Sequence, residues 1–301
     1  MKQSLQQLSL TVLLLVVSAA STFGQGFSTN ITAPYRVVPN ITYLTANNVD
    51  AKLDVYSRTD VTTPQPTIMW IHGGGWTGGN KESATFALLP YLEMGWNVVN
   101  VEYRLARTSL APAAVEDCLC ALRWVIRNAK QYGFDTGKLV VSGGSAGGHL
   151  ALTSAMIPAS AGLDRQCPGT EELKVAAVVD WYGITDVADL LDGANMKTYA
   201  VQWMGSMPNR IEIAKRVSPL TYVRPGLPPV ISIQGDADPT VPYSHSVRLQ
   251  EALKKAGVDG QLVTIPGGKH GGFTRAENQG AYAAIKAFLA KHGLGPTVSS
   301  N

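Results

Sequence analysis

The segment from Lys138 to Leu152 restricts the possible folds more than any other part of this sequence. Residues 138–141 form a short apolar, β-branched run typical of a buried strand, and residues 146–155 have a helical pattern. Between them lies GGSAG, in which glycines flank Ser145. A serine on such a sharp turn adopts a strained backbone conformation, and its hydroxyl projects beyond the end of the sheet. The segment therefore predicts a strand, an exposed nucleophile and a helix in succession.

The G-x-S-x-G pattern also arises in ordinary glycine-rich turns, so its meaning depends on the rest of the chain. Strand and helix patterns alternate along the remainder of the chain. This alternation predicts a mostly parallel, doubly wound α/β sheet with helices on both faces. The other predicted strands are an antiparallel edge pair, Ile41–Ala46 and Lys52–Ser57, and the runs Thr67–Ile71, Trp96–Tyr103, Val175–Trp181, Pro229–Gln234 and Gln261–Ile265. The other predicted helices are Glu82–Met94, Ala113–Tyr132, Ser244–Ala256 and Tyr282–His292.

The length and composition suit one globular domain. The chain has 301 residues, of which 45% are hydrophobic, enough for a large core. We assign this domain to residues 28–295, with a short tail at 296–301. Residues 186–224 have no strand-like run, and we interpret them as a small cap of helices and loops over the sheet; a long crossover helix is the alternative.

The first twenty residues have the pattern of a secretory signal peptide. A basic start, Met1-Lys2, precedes an apolar stretch at 10–17, and Ser18-Ala19-Ala20 supplies small residues at a cleavage site. Cleavage follows residue 20, or a position as late as 24; a retained anchor is the alternative. We therefore expect a secreted or periplasmic protein that is free of the membrane after cleavage. The net charge of +3 is too weak and too scattered to indicate nucleic-acid binding.

The three cysteines allow at most one disulfide. Cys118 and Cys120 are two residues apart on a predicted helix and point to different faces, so they do not pair with each other. Either could bridge to Cys167, and three buried thiols are the alternative. No cysteine or histidine spacing indicates a metal site.

The predicted strand Thr67–Ile71 leads directly into HGGGW at residues 72–76. Three glycines let the backbone turn its N–H groups towards a ligand, either a phosphate or the oxyanion of an acyl group. A phosphate loop would continue into a Lys-Ser/Thr pair and a helix, and neither follows here. We therefore predict an oxyanion hole formed by the N–H groups of Gly74, Gly75 and Ala146.

An acid and a histidine follow the last two predicted strands. Asp238 is the preferred acid over Asp236, which sits directly after its strand and is suited to holding the turn. His270 is flanked by glycines in the loop after the final strand, whereas we expect His149 to pack in the core, His72 to brace the glycine loop, and His245 and His292 to lie at the surface. The chain order serine, acid, histidine is that of the α/β-hydrolase triad, so Ser145, Asp238 and His270 are the candidate catalytic residues.

These motifs resemble those of α/β-hydrolase esterases with an HGGG oxyanion loop, the hormone-sensitive-lipase-like group. Within that group the chain is most similar to the bacterial bifunctional acetyl-xylan and feruloyl esterases. The resemblance rests on HGGGW (72–76), YRL (103–105), GGSAGGH (143–149), DWYGITD (180–186), GDADPTVP (235–242) and KHGGF (269–273). It implies the α/β-hydrolase fold, the same three catalytic residues, and no cofactor or metal.

The predicted function is a secreted serine carboxylic ester hydrolase that works through an acyl-enzyme and takes part in carbohydrate degradation. Its expected substrates are acetyl or feruloyl esters on plant polysaccharide such as xylan. We expect Trp76 and Tyr182 to line the cleft, and packing of both in the core is the alternative. The alternatives are a general short-chain, aryl or lipase-like carboxylesterase, an arylformamidase, a serine peptidase, or a binding protein without catalysis. No oligomeric state is predicted.

Overall fold

The structure, a computed structural model, describes residues 34–295. The predicted signal peptide and the tail at 296–301 lie outside these residues. The strands are β1 (Tyr35–Ala46), β2 (Val49–Arg58), β3 (Gln65–Ile71), β4 (Asn97–Val101), β5 (Phe134–Gly144), β6 (Ala177–Trp181), β7 (Val230–Gly235) and β8 (Gly260–Ile265). The helices are α1 (Thr85–Glu93), α2 (Ala113–Arg127), α3 (Ala129–Tyr132), α4 (Ala146–Met156), α5 (Thr198–Met204), α6 (Arg210–Arg216), α7 (Ser244–Lys255) and α8 (Arg275–Lys291).

Within the described residues, the strands form one sheet in the order β1-β2-β4-β3-β5-β6-β7-β8. β1 pairs antiparallel with β2 at one edge, and β2 pairs antiparallel with β4. Every other neighbouring pair is parallel. The structure thus confirms the mostly parallel sheet and the antiparallel edge pair.

The strand order places a crevice at the carboxyl ends of β3 and β5. These strands are neighbours, with Ile71 opposite Gly143. The chain leaves β3 through α1 on one face of the sheet, and it leaves β5 through α4 on the other. Because the two connections diverge, the space between their first residues stays open. The segment 72–76, called here the glycine loop, directly follows β3, and Ser145 directly follows β5, so both lie at this crevice.

Two hydrophobic cores lie on the two faces of the sheet, because successive strand residues point to opposite sides. Met69 and Ile71 of β3 pack in the core beneath α2, α4 and α7. Ile68 and Trp70 pack in the core beneath α1 and α8. Both cores reach the carboxyl edge of the sheet, so aromatic side chains from each of them can border the crevice.

Two predicted helices differ at their starts. The helix predicted from Glu82 begins with a 3₁₀ turn, Lys81–Ala84, before α1. The last helix begins at Arg275 rather than at Tyr282. The first buried residue of this helix is Ala281, whereas a capping box between Thr274 and Glu277 starts the helix about two turns before Tyr282.

The segment between β6 and β7 contains short elements: α5, α6 and three 3₁₀ turns within residues 188–222.

Cys120 of α2 forms a disulfide with Cys167, and Cys118 is a buried free thiol. Cys120 is the partner because it faces β1 and β2, whereas Cys118 faces the main core. Among the helices of residues 34–295, none has both the length and the apolarity needed to cross a bilayer.

Candidate active site

Ser145 lies on the tight turn between β5 and α4, with φ 58° and ψ −122°. Its amide N–H donates to the carbonyl of Trp181 at 2.8 Å, which fixes the turn against β6. The flanking glycines are required by close backbone contacts. A Cβ on Gly143 would lie 2.4 Å from the Ile71 carbonyl oxygen, and a Cβ on Gly147 would lie 2.1 Å from the same atom. The close approach of α4 to the end of β3 therefore depends on both glycines.

The glycine loop crosses directly over this turn. A Cβ on Gly73 would lie 2.7 Å from the Gly144 carbonyl oxygen. Gly74 and Gly75 have φ of 116° and 58°, which turn successive peptide groups in directions that other residues rarely allow. His72 supports the loop from below: its ring stacks on Tyr103 with centroids 4.3 Å apart, and its Nδ1 lies 2.7 Å from the Gly73 carbonyl oxygen. This agrees with the bracing predicted for His72.

The structure brings Ser145, His270 and Asp238 together, although they are far apart in the chain. Ser145 Oγ lies 2.8 Å from His270 Nε2, and His270 Nδ1 lies 2.8 Å from Asp238 Oδ2. When the three groups are in contact in this order, the hydroxyl can pass its proton to the imidazole, and the carboxylate fixes the tautomer of the ring. The arrangement can therefore generate a serine nucleophile.

Asp238, and not Asp236, is the acid that meets the histidine. The Asp238 side chain is fully buried, and its Oδ1 accepts N–H groups of Thr240 and Val241 at 2.8 and 3.0 Å. Burial acts to raise the pKa of the Asp238 carboxyl, but the hydrogen bonds from His270 and from the backbone outweigh it, so the pKa lies below its usual value. Asp236 instead accepts the N–H of Gly267 and ties its own loop to the one after β8.

Tyr182 covers the histidine. Its ring centroid lies 4.7 Å from that of His270, and the residue has a strained φ of 43°. The turn that holds it is clamped by buried Asp180, which accepts the N–H of Gly183 and the hydroxyl of Ser232, each at 2.9 Å. Burial raises the pKa of Asp180 to about 7, against these hydrogen bonds. Tyr182 lines the pocket above Ser145. Its contact with substrate stays a prediction.

A pocket of about 450 Å³ opens above Ser145 and His270. The core beneath α1 contributes Trp70, Ala84, Ala87 and Tyr182, and Tyr199 belongs to the opposite core. The remaining lining residues come from the glycine loop, the serine turn and their surroundings: His72, Gly73, Gly74, Gly75, Ser83, Gly144 and Thr240. Two aromatic walls around a polar floor can hold a flat or short acyl group beside the hydroxyl.

Two predictions from the sequence are wrong. Trp76 does not line the cleft: it is fully buried, it stacks on Trp203 with centroids 4.0 Å apart, and it donates to His149 Nδ1 at 3.2 Å. Its φ of 58° turns the side chain away from the pocket and into the core. His245 is not at the surface: it is buried and lies 3.0 Å from Asp189, because α7 packs that face against the segment between β6 and β7.

Sequence reasoning missed Tyr199 and Trp70 in the pocket wall. Trp70 lies in the apolar run Thr67–Ile71, whose pattern indicates a buried strand and nothing more. Tyr199 lies in a stretch of mixed polar and apolar residues whose spacing does not indicate a site. Among residues 34–295, no group of three or more His, Cys, Asp and Glu side chains is arranged to hold a metal ion.

Comparisons with known proteins find esterases among the relatives of this chain. Esterase LipQ of Mycobacterium tuberculosis (strain ATCC 25618 / H37Rv) is 31% identical over 216 residues, which are 68% of this chain and 50% of LipQ. The chain thus spans about half the length of LipQ and of the carboxylic ester hydrolase LipM from the same strain. The BD-FAE family model matches residues 53–253, more than half of the chain.

Solved structures resemble nearly the whole described fold. Est2, a thermophilic esterase from the Planctomycetes species Thermogutta terrifontis, superposes with a TM-score of 0.73 and 29% identity over 89% of this chain and 95% of Est2. A truncated carbohydrate esterase from gut microbiota gives a TM-score of 0.74 and 26% identity over 86% of this chain and 96% of that one. These relatives and structural neighbours are esterases or carboxylic ester hydrolases by name. The structural likeness establishes the predicted α/β-hydrolase fold. Because the family model matches residues 53–253, which include β3 to β7, the chain belongs to the BD-FAE family.

Proposed function

We propose that this protein is a serine carboxylic ester hydrolase that works through an acyl-enzyme. The observation that carries the proposal is the continuous Ser145–His270–Asp238 contact on the floor of a pocket bordered by the glycine loop. A binding protein would have no need for all three side chains in hydrogen-bond contact. The esterase relatives support the same reaction class.

In this reaction Ser145 Oγ attacks the ester carbonyl carbon while His270 Nε2 takes the hydroxyl proton. The carbonyl oxygen becomes an oxyanion, for which the N–H groups of Gly74, Gly75 and Ala146 are the proposed donors, each worth about 3 kcal/mol. The tetrahedral intermediate collapses, the C–O bond to the alcohol breaks, and His270 gives its proton to the departing oxygen. Water activated by the same histidine then hydrolyses the acyl-serine and releases the acid.

Acetyl or feruloyl esters of plant polysaccharide are the proposed substrates. The sequence resemblance to acetyl-xylan and feruloyl esterases and the structural likeness to a carbohydrate esterase support this choice. The aromatic walls formed by Trp70, Tyr182 and Tyr199 suit a planar cinnamoyl group. A general short-chain esterase is the second candidate, because a structure of the similar Est2 contains butyrate.

Export from the cytoplasm is part of the proposal. Its sequence basis is the signal-peptide pattern of the first twenty residues. The disulfide between Cys120 and Cys167 supports it, because such bonds persist mainly in oxidising compartments.

The test compares wild type with Ser145→Ala on acetylated xylan, methyl ferulate, p-nitrophenyl acetate and p-nitrophenyl octanoate. Without the nucleophile, turnover should fall by about 10⁴-fold or more on every substrate that the wild type accepts. Circular dichroism of the variant checks that the fold is kept.

Serine-dependent release of acetate from xylan, or of ferulate, supports the polysaccharide substrate. Turnover of only the two p-nitrophenyl esters would favour the general short-chain esterase. Activity that survives in Ser145→Ala would refute the proposed mechanism itself.

A further inference from the structure

Two side chains at the start of α5 hold the loop that carries Asp238. Lys197 Nζ donates to the carbonyl oxygen of Pro239 at 2.9 Å, and the Tyr199 hydroxyl donates to that of Thr240 at 3.0 Å. Lys197 is the N-cap residue of α5, and Tyr199 lies in its first turn. Two consecutive carbonyls of the loop that carries Asp238, called here the acid loop, thus accept hydrogen bonds from side chains at the start of α5.

These carbonyls belong to the same peptide groups that bind the carboxylate. A planar peptide group joins the carbonyl of one residue to the N–H of the next. The Pro239 carbonyl therefore shares its group with the N–H of Thr240, and the Thr240 carbonyl shares its group with the N–H of Val241. Both N–H groups donate to Asp238 Oδ1, at 2.8 and 3.0 Å.

Each peptide group is therefore one link in a chain of hydrogen bonds that all point the same way. A donor on the carbonyl oxygen polarises the peptide group and strengthens its N–H as a donor. One chain runs from Lys197 and the other from Tyr199, and both end on Asp238 Oδ1. With Oδ1 fixed by two N–H groups, the buried carboxylate directs Oδ2 at His270 Nδ1, 2.8 Å away.

Tyr199 also touches the opposite side of the site. A Cβ on Gly75 would lie 2.9 Å from Tyr199 Cβ, so the tyrosine packs directly on the glycine loop. Burial, and then the charge of Asp238, raises the pKa of Tyr199, so its hydroxyl keeps its proton and remains a donor. One side chain thus spans from the glycine loop to the acid loop.

We propose that Lys197 and Tyr199 are positioning residues that orient Asp238, and through it His270, by way of the peptide groups 239–240 and 240–241. The segment between β6 and β7 thereby becomes part of the catalytic architecture as well as a wall of the pocket. This inference rests on the proposed function, since it assigns a role to residues that act on the same three side chains.

The first test is Tyr199→Phe, which keeps the ring on the glycine loop and removes only the donor. With p-nitrophenyl acetate, kcat should fall about threefold to tenfold, the value of one hydrogen bond, while KM changes by less than about twofold. Lys197→Met should act in the same direction, and Lys197→Arg, which keeps a donor, should restore most of kcat.

Tyr222→Phe is the matched control. Its hydroxyl donates to the Arg216 carbonyl at 2.7 Å, also within the segment between β6 and β7. The peptide group of that carbonyl does not hydrogen-bond to Asp238. This variant should keep wild-type kcat and KM. An equal loss of kcat in Tyr222→Phe would overturn the inference, because it would show a general effect of loosening the segment.

A double-mutant cycle separates positioning from a merely structural role. If Tyr199 acts through the carboxylate, then Tyr199→Phe should change kcat by less than about 1.5-fold in an Asp238→Asn background, where the last link to His270 is lost. A full, additive loss in that background would refute the inference. Wild-type kinetics in both Tyr199→Phe and Lys197→Met would also refute it, whereas failure of the proposed function would be seen as activity in Ser145→Ala.

Discussion

At the residue scale, the turn at Ser145 depends on what its neighbours lack. Gly147 has ordinary helical surroundings along the chain, but a Cβ there would lie 2.1 Å from the Ile71 carbonyl oxygen and 2.6 Å from that of His72. Both obstacles are backbone atoms, which cannot rotate away as a side chain can. The glycine is therefore required by the contact between α4 and the end of β3, and not by a turn alone.

Gly147→Ala should destabilise the protein by about 2–4 kcal/mol, because α4 must move away from β3 to admit the methyl group. Urea unfolding followed by circular dichroism measures this, and kcat should fall with it. Gly280→Ala in α8 is the control: outside the backbone of its own helix, no atom of the described residues lies within 4 Å of its added Cβ, so the variant should gain about 0.5–1 kcal/mol. Wild-type stability in Gly147→Ala would show that the close approach is absent.

At the element scale, the disulfide fixes α2 to the connection between α4 and β6, in which residues 162–176 form neither a strand nor a helix. It joins Cys120 to Cys167, 47 residues further along the chain. Around it, Arg123 of α2 pairs with Glu171 at 3.0 Å and also with Asp164. The covalent link and the ion pairs together hold the connection between α4 and β6 against α2.

Reduction of this disulfide should lower the free energy of unfolding by about 4 kcal/mol, the loop-closure value for a link across 47 residues. The measurement is urea unfolding with and without a phosphine reductant. Cys118→Ala should respond to the reductant as the wild type does, since its thiol is free and buried. A double variant, Cys120→Ala with Cys167→Ser, should not respond; a remaining response would point to a different pairing.

At the scale of the whole molecule, folding buries histidines in the neutral form. Burial lowers the pKa of His149 to about 3 and that of His72 to about 4. In the unfolded chain both histidines have a pKa near the usual value of about 6.5, so each binds a proton as the pH falls below that value. The stability from keeping each ring neutral is therefore complete above pH 6.5 and is lost as the pH falls towards the pKa of the folded state.

His149→Gln should make stability less sensitive to acid. Between about pH 6 and pH 4, the free energy of unfolding of the wild type should fall more steeply than that of the variant, by about 1.4 kcal/mol per pH unit, the value of one proton. Urea unfolding at several pH values measures the slopes, and groups common to both proteins cancel in the comparison. Parallel slopes would mean that His149 titrates alike in the folded and unfolded chains.

The sequence by itself determined the features that depend on short stretches of chain. Alternating apolar patterns gave the α/β sheet with its antiparallel edge, and the glycines around Ser145 and after β3 marked both loops of the site. Such signals are local, because the periodicity of a strand and the backbone freedom of a glycine depend only on residues that are adjacent in the chain. The order of Ser145, Asp238 and His270 along the chain pointed to the same edge of the sheet, because each follows a strand.

Only the tertiary structure decided which side chains meet. Ser145 and His270 are 125 residues apart, and Tyr199 reaches Thr240 across 41 residues. The direction of Trp76, the burial of His245 and the choice of Cys120 over Cys118 likewise follow from packing between distant elements. No local pattern encodes these outcomes, because the free energy that selects them comes from contacts that exist only once the sheet and its helices have assembled.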